Sequence, residues 1–119
     1  MSYIDGFLIP VPADKREDYR KLAELAAPVF LEHGAIEVVE CWGDDLIKGH
    51  ATDFYMAVKA EENEGVVFSW IKWPDKAARD AGNKAAMEDK RFEGMNALEV
   101  FDGKRMIFSG FVPIVEHRR

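Results

Sequence analysis

In three segments of this chain the residues at both alternating positions are apolar. Successive side chains of a β-strand point to opposite faces. Tyr3, Phe7 and Ile9 therefore oppose Ile4 and Leu8. Val66, Phe68 and Trp70 oppose Val67, Ile71 and Trp73, and Met106 and Phe108 oppose Ile107 and Phe111. A sheet made of such strands must be covered on both faces. The rest of the sequence supplies only two helices, enough for one face. Leaving the other bare would expose an apolar patch larger than monomers tolerate. The expected cover is a second copy of the chain, giving a homodimer packed sheet to sheet.

The element order follows from local signals. Tyr3 to Val11 reads as a strand stopped by Pro10 and Pro12. Asp14 and Glu17 fit a capping box ahead of a helix whose apolar stripe is Tyr19, Leu22, Ala23, Ala26, Val29 and Phe30. Pro28 should kink its last turns, and Gly34 suits its C-terminal cap. Ala35 to Trp42 reads as a second strand, Asp53 to Ala60 as a third and Val66 to Trp73 as the strongest. Asp75 caps a second helix, with Ala77, Ala78, Ala81, Ala85, Ala86 and Met87 as a small-residue face that Gly82 weakens. Asp89 to Asn96 reads as a turn or helical fragment, and Lys104 to Val115 as the closing strand. Gly6 and Gly110 sit in similar settings, Asp5-Gly6-Phe7 and Ser109-Gly110-Phe111, which suggests that the first and last strands are neighbours. The expected fold is α+β: one domain spanning 1–119, a split βαβ plan with an antiparallel sheet of four to five strands and two helices on one face.

Composition narrows function mainly by exclusion. The net charge of −6, from 16 basic and 22 acidic residues, repels phosphate backbones, so no nucleic-acid partner is expected. No apolar run approaches the roughly 20 residues that span a membrane, and no membrane partner is expected. The single cysteine, Cys41, cannot form an intramolecular disulfide and fits a reducing compartment. The first residues lack the basic and apolar regions of a signal peptide, and the expected location is the cytoplasm.

Several blocks resemble a known family: Tyr3-Ile4-Asp5-Gly6-Phe7, Glu40-Cys41-Trp42, Thr52-Asp53-Phe54, the run from Met56 to Glu61, Val66 to Ile71 and Phe101 to Ile107. They look like the YbaA-like bacterial family, a domain of unknown function (number 1428) among the dimeric α/β-barrel proteins. The resemblance covers nearly the whole chain. It implies a ferredoxin-like fold and a dimer, and it carries no activity and no catalytic residues. Proteins of the same superfold include cofactor-free monooxygenases, haem-dependent enzymes, isomerases and ligand-binding regulators, which is fold-level analogy alone.

Polar residues inside apolar strands are the candidate chemistry. Asp5 in the first strand and Arg105 beside the last would pair if those strands are neighbours. The pair is either a structural salt bridge or the polar floor of a pocket. Glu40 and Trp42 share a strand face, where desolvation beside an indole can raise a carboxyl pKa and make an acid or base. Alternatively Trp42 packs while Glu40 reaches water or Lys59. Cys41 reads as a small buried hydrophobe, since no activating charge is placed beside it. His33 falls at a helix C-terminus, where the dipole favours it. His50 with Asp44, Asp45 and Asp53 lacks metal-ligand spacing, and neither metal nor cofactor is expected. Ser69 has no nucleophile-elbow context. Candidate ligand-binding residues are Asp5, Glu40, Trp42, Ser69, Trp70, Arg105 and Phe108, and the catalytic set is unknown. The tryptophans and phenylalanines either line a cavity between sheet and helices or fill a dimer core. Three readings remain: a homodimer that binds a small apolar or aromatic molecule, a cofactor-independent oxygenase or isomerase, and a structural dimer.

Overall fold

The computed structural model describes residues 1–119. Its elements, in chain order, are β1 (Tyr3–Pro12), α1 (Arg16–Glu32), β2 (Glu37–Trp42), α2 (Phe54–Ala57), β3 (Glu64–Trp73), α3 (Lys76–Met87) and β4 (Ile107–Phe111). Short 3-10 turns cover Ala13–Lys15, Lys90–Gly94 and Ala97–Glu99. The four strands form one antiparallel sheet in the order β2-β3-β1-β4.

The first and last strands are neighbours, as the glycine echo suggests, with Asp5 opposite Gly110 and Gly6 opposite Ser109. A Cβ on Gly110 would overlap the Tyr3 ring, so its hydrogen lets Tyr3 lie across β4. Pro10 sits within β1 without breaking the sheet. Pairing with β4 ends at Leu8, so on that side there is no ladder for a missing N–H to interrupt.

Register assigns the faces. Asp5, Phe7, Ile9 and Val11 of β1 lie beside Ile71, Ser69, Val67 and Gly65 of β3. This face carries α1 and α3, and Ile9, Val11, Val67, Ile71 and Trp73 are all buried there. The α1 stripe packs as the spacing predicts, with Tyr19 joining the Ile9, Val11 and Val67 cluster. Behind it, Ala35, Ile71 and Trp73 form a second cluster with Phe30 and Val38.

Four expectations are corrected. The segment Asp53 to Ala60 is not a strand, and the sheet has the smaller of the two expected strand counts, four. Asp53 caps one helical turn instead, its Oδ1 accepting from Met56 N at 2.7 Å and its Oδ2 from Gly49 N at 3.0 Å. The alternation of Phe54, Met56 and Val58 was too short to outweigh that cap. Asp14 is not the α1 N-cap. It lies in the preceding 3-10 turn, and Glu17 bonds Arg20 Nε at 2.8 Å rather than closing a capping box. The closing strand is only Ile107–Phe111, because Pro113 cannot extend the ladder. Beyond it Glu116 turns back to accept from Ser2 and Lys72. On α3 the buried stripe runs through Gly82 and Ala86 while Ala77 and Ala81 face water. Gly82 is therefore a close-packing residue: a Cβ there would overlap the Trp73 indole and come within 2.7 Å of His33 O. The Asp75 cap is as expected, accepting from Ala78 N at 2.7 Å, and Gly34 follows α1 with φ +111°.

The opposite sheet face has no long helix. Leu8, Phe68, Trp70, Val39, Ile107 and Phe111 lie on it by register, with α2 at one end placing Phe54 6.5 Å from Phe68. Phe68 is 47% exposed and Phe111 58%.

Candidate functional site

On the helix side a cavity of about 350 Å³ lies between sheet and helices. Its floor is Phe7, Ile9, Glu40, Ser69 and Ile71, and α1 contributes Tyr19, Leu22, Ala23, Ala26 and Phe30. The segment after α3 closes the remaining side with Phe92, Met95, Ala97, Phe101 and Met106. Fourteen of the 16 lining residues are hydrophobic, and the two polar exceptions are Glu40 and Ser69.

The closing segment is tied down at several points. Asp89 accepts from Arg91 and pairs with His33 Nε2 at 3.0 Å, and Arg91 reaches Glu32 at 2.7 Å. These contacts hold Asp89 well below the usual carboxylate range. Lys15 Nζ donates to Glu99 O. Aromatic pairs Phe30–Phe92 and Tyr19–Phe101, at 5.7 and 5.9 Å, fill the seam.

Glu40 and Ser69 meet because they are register partners on β2 and β3. Tyr19, one turn into α1, donates its hydroxyl to Glu40 Oε1 at 2.7 Å. Glu40 is exposed on its groove side, while its carboxyl end is packed among protein atoms beside Tyr19. Desolvation raises its pKa, and the hydroxyls of Tyr19 and Ser69 oppose that rise without cancelling it. Burial pushes the Tyr19 phenol up as well, helped by the neighbouring Glu40 charge. Glu40, Tyr19 and Ala23 also line an open groove of about 490 Å³ between α1 and β2. Trp42 forms part of that groove, with the Arg16 guanidinium 5.3 Å above its ring.

The other candidates are dispersed. Asp5 is buried beneath α3. It accepts from Trp73 Nε1 at 3.0 Å, Arg79 Nε at 3.0 Å and Asn83 Nδ2 at 3.2 Å, and pairs with Arg79 Nη2 at 2.9 Å. The expected Asp5–Arg105 pair does not form. Ile107 lies opposite Leu8 and Gly110 opposite Asp5, so Arg105 falls near the far end of β1. There it binds Glu64 through two bonds of 2.6 and 2.8 Å, Asp102 at 3.0 Å and Lys59 O at 3.0 Å. Arg105 in turn holds the Glu64 carboxyl below its ordinary value. Glu40 does not reach Lys59. Trp70 lies on the open face and donates to Glu37 Oε1 at 2.7 Å. Phe108 stacks on Phe7 at 6.1 Å at the β4 edge, 63% exposed, outside the cavity. No three His, Cys, Asp or Glu side chains converge as a metal site, in the His50 loop or elsewhere.

Sequence reasoning placed Tyr19 in the apolar stripe and missed its hydroxyl. A buried phenol needs a polar partner, and that requirement was the available signal. Arg79 was missed because nothing in a helical sequence says which strand residue lies beneath it.

Residues 2–103 match the model of a family described as a protein of unknown function, DUF1428. The chain belongs to this family. It is 54% identical over 116 residues to the uncharacterized protein YbaA of Escherichia coli (strain K12), covering 98% of this chain and 99% of that one. Solved structures share the family member's fold at far lower identity. An uncharacterized NIPSNAP domain protein from Burkholderia xenovorans superposes with TM-score 0.64 and 14% identity, covering 98% of this chain and 99% of that one. A dimeric ferredoxin-like protein from an uncultured marine organism gives TM-score 0.61 and 15% identity, with 98% and 100% covered. These likenesses identify the fold as ferredoxin-like α+β.

Proposed function

We propose that this family member is a cytoplasmic homodimer that binds a small apolar or aromatic molecule between sheet and helices. The observation that carries the ligand reading is the cavity wall: about 350 Å³ lined by apolar side chains, with Glu40 and Ser69 as its polar exceptions. At about 30 Å³ per water-sized group, that space suits a molecule of about a dozen non-hydrogen atoms. Apolar contact supplies affinity, and the Glu40–Tyr19–Ser69 cluster orients one polar group of the ligand.

The dimer reading rests on the open sheet face. Phe54, Phe68, Ile107 and Phe111 are each about half exposed there, and the partner that suits a flat apolar sheet is the same sheet on a second copy. The marine structural neighbour is itself a dimeric ferredoxin-like protein. The free Cys41 and the absence of any helix long and apolar enough to cross a membrane support the cytoplasmic location, and the acidic balance argues against nucleic acid as a partner.

Native mass spectrometry after incubation with a metabolite extract tests both halves. The expected spectrum shows a dimer carrying added mass, with the addition lost in Ala26→Trp, which fills the cavity from α1. A monomer at every concentration refutes the dimer. A bare dimer refutes the ligand.

A further inference from the structure

We propose that Glu40 is a proton-transfer residue acting on a neutral, enolisable carbonyl compound in the cavity, an inference that rests on the ligand-binding reading above.

The comparison that points there lies within the molecule. Two carboxylates buried in the fold are each held by a guanidinium: Asp5 by Arg79 at 2.9 Å and Glu64 by Arg105 at 2.6 Å. Those are structural ion pairs. Glu40 has no such partner. From α1 it meets the Tyr19 hydroxyl, and from β3 it faces Ser69. The cations at the groove rim are engaged elsewhere, Arg20 with Glu17 at 2.8 Å and Glu24 at 3.6 Å, and Arg16 over Trp42. Glu17 and Glu24, both paired with Arg20, are the remaining charged groups of the groove. A carboxyl held only by hydroxyls, its pKa raised by desolvation, gives and takes a proton more readily than one locked to a guanidinium.

Position completes the case. Glu40 borders both the cavity and the groove, and both open to solvent. One side can meet a bound molecule while the other exchanges protons with water. No cationic side chain lines the cavity, so its chemistry favours a neutral ligand.

The step is a keto–enol transfer. Ionised Glu40 takes a proton from the carbon next to the ligand carbonyl. The C–H electron pair becomes the new C=C bond, and the C=O π pair moves onto oxygen. As the charge leaves Glu40, the Tyr19 or Ser69 hydroxyl that had donated to its carboxylate turns to donate a hydrogen bond to that oxygen. Glu40, now a carboxylic acid, returns the proton to the same carbon or to a conjugated one. The exchange is redox-neutral and needs no second reactant.

The test uses 2-tetralone, an enolisable apolar ketone, in D₂O. Binding is read by saturation-transfer NMR and exchange of the α-hydrogens by proton NMR. The expected result is binding, with exchange accelerated over buffer and rising with pH through a midpoint above the ordinary carboxylate value. Glu40→Gln should slow exchange by about 10²–10³-fold while the dissociation constant changes less than about threefold. Bound 2-tetralone without accelerated exchange, or exchange indifferent to Glu40→Gln, overturns proton transfer and leaves the cavity reading standing. Absence of binding to the wild-type protein overturns the cavity reading and proton transfer with it.

Discussion

Tyr19 donates its hydroxyl to Glu40 Oε1 at 2.7 Å, joining α1 to β2 across the polar corner of an otherwise apolar cavity. That bond favours the ionised carboxylate against the desolvation that disfavours it. Replacing Tyr19 with Phe removes the opposing effect, so the Glu40 pKa should rise further. A carbon-13 NMR titration of the Glu40 carboxyl reads this directly. An unchanged or lowered midpoint would contradict the role given to the phenol.

The same carboxyl should shape stability against pH. A folded pKa above the unfolded value means that the stabilising contribution is complete below the unfolded pKa. It is lost as pH rises through the folded one. Glu40→Gln keeps an acceptor for Tyr19 and cannot ionise. The difference in melting temperature, variant minus wild type, should therefore grow more positive from acidic pH toward neutrality. A flat difference across that window would refute it.

Asp5 and Arg105 lie at opposite ends of the β1–β4 ladder and share no partner, whereas Asp5 and Arg79 bond directly. Asp5→Ala leaves Trp73 Nε1 and Arg79 without their acceptor and should cost about 3 kcal/mol. In urea unfolding, the Asp5/Arg105 double mutant should be additive within about 0.5 kcal/mol. The Asp5/Arg79 cycle should show coupling of about 1 kcal/mol or more. Coupling between Asp5 and Arg105 instead would argue for the pairing that the ladder register precludes.

Gly82→Ala sets helix propensity against packing. In an exposed helix the change stabilises by about 1 kcal/mol. Here the added methyl meets the Trp73 ring, which is 0% exposed and has nowhere to move. A net loss of about 1–3 kcal/mol is expected from overpacking. Equal or greater stability by chemical denaturation would show that α3 can shift.

Phe68→Glu places a charge at the middle of the open sheet face, far from either helix-side cluster. Light scattering should report a monomer at concentrations where the wild type is a dimer, with the circular dichroism spectrum unchanged. A dimer of undiminished affinity would move the interface elsewhere.

The residues that read well from sequence are those whose cause is local. Asp75 caps α3, Gly34 takes a positive φ after α1, and the Tyr19 to Phe30 stripe faces the sheet. Apolar residues at both parities of β1 and β3 announced a sheet that is apolar on two sides, and the structure covers one of them. The misreadings share a cause too. Phe54, Met56 and Val58 alternate like a strand, but Asp53 bonds the Met56 amide and one helical turn results. Over so few residues, pattern is weaker evidence than a single cap.

The candidate site was legible only in pieces. Glu40, Trp42 and Ser69 stood out as polar or aromatic residues in strands, and β2–β3 register brought Glu40 against Ser69. The same register sent Trp70 to the other face, and the β1–β4 register carried Arg105 to the end of β1 where Glu64 lies.

By itself the sequence determined the periodicities, the caps, the apolar content of each strand and the α+β order, because these depend on residues a few positions apart. The tertiary structure alone decided which carboxylate is paired. Asp5 meets Arg79 and Glu64 meets Arg105, while Glu40 is left with two hydroxyls. Those partners are set by strand order and by where α1 and α3 cross the sheet, relationships between residues dozens of positions apart that no local pattern encodes.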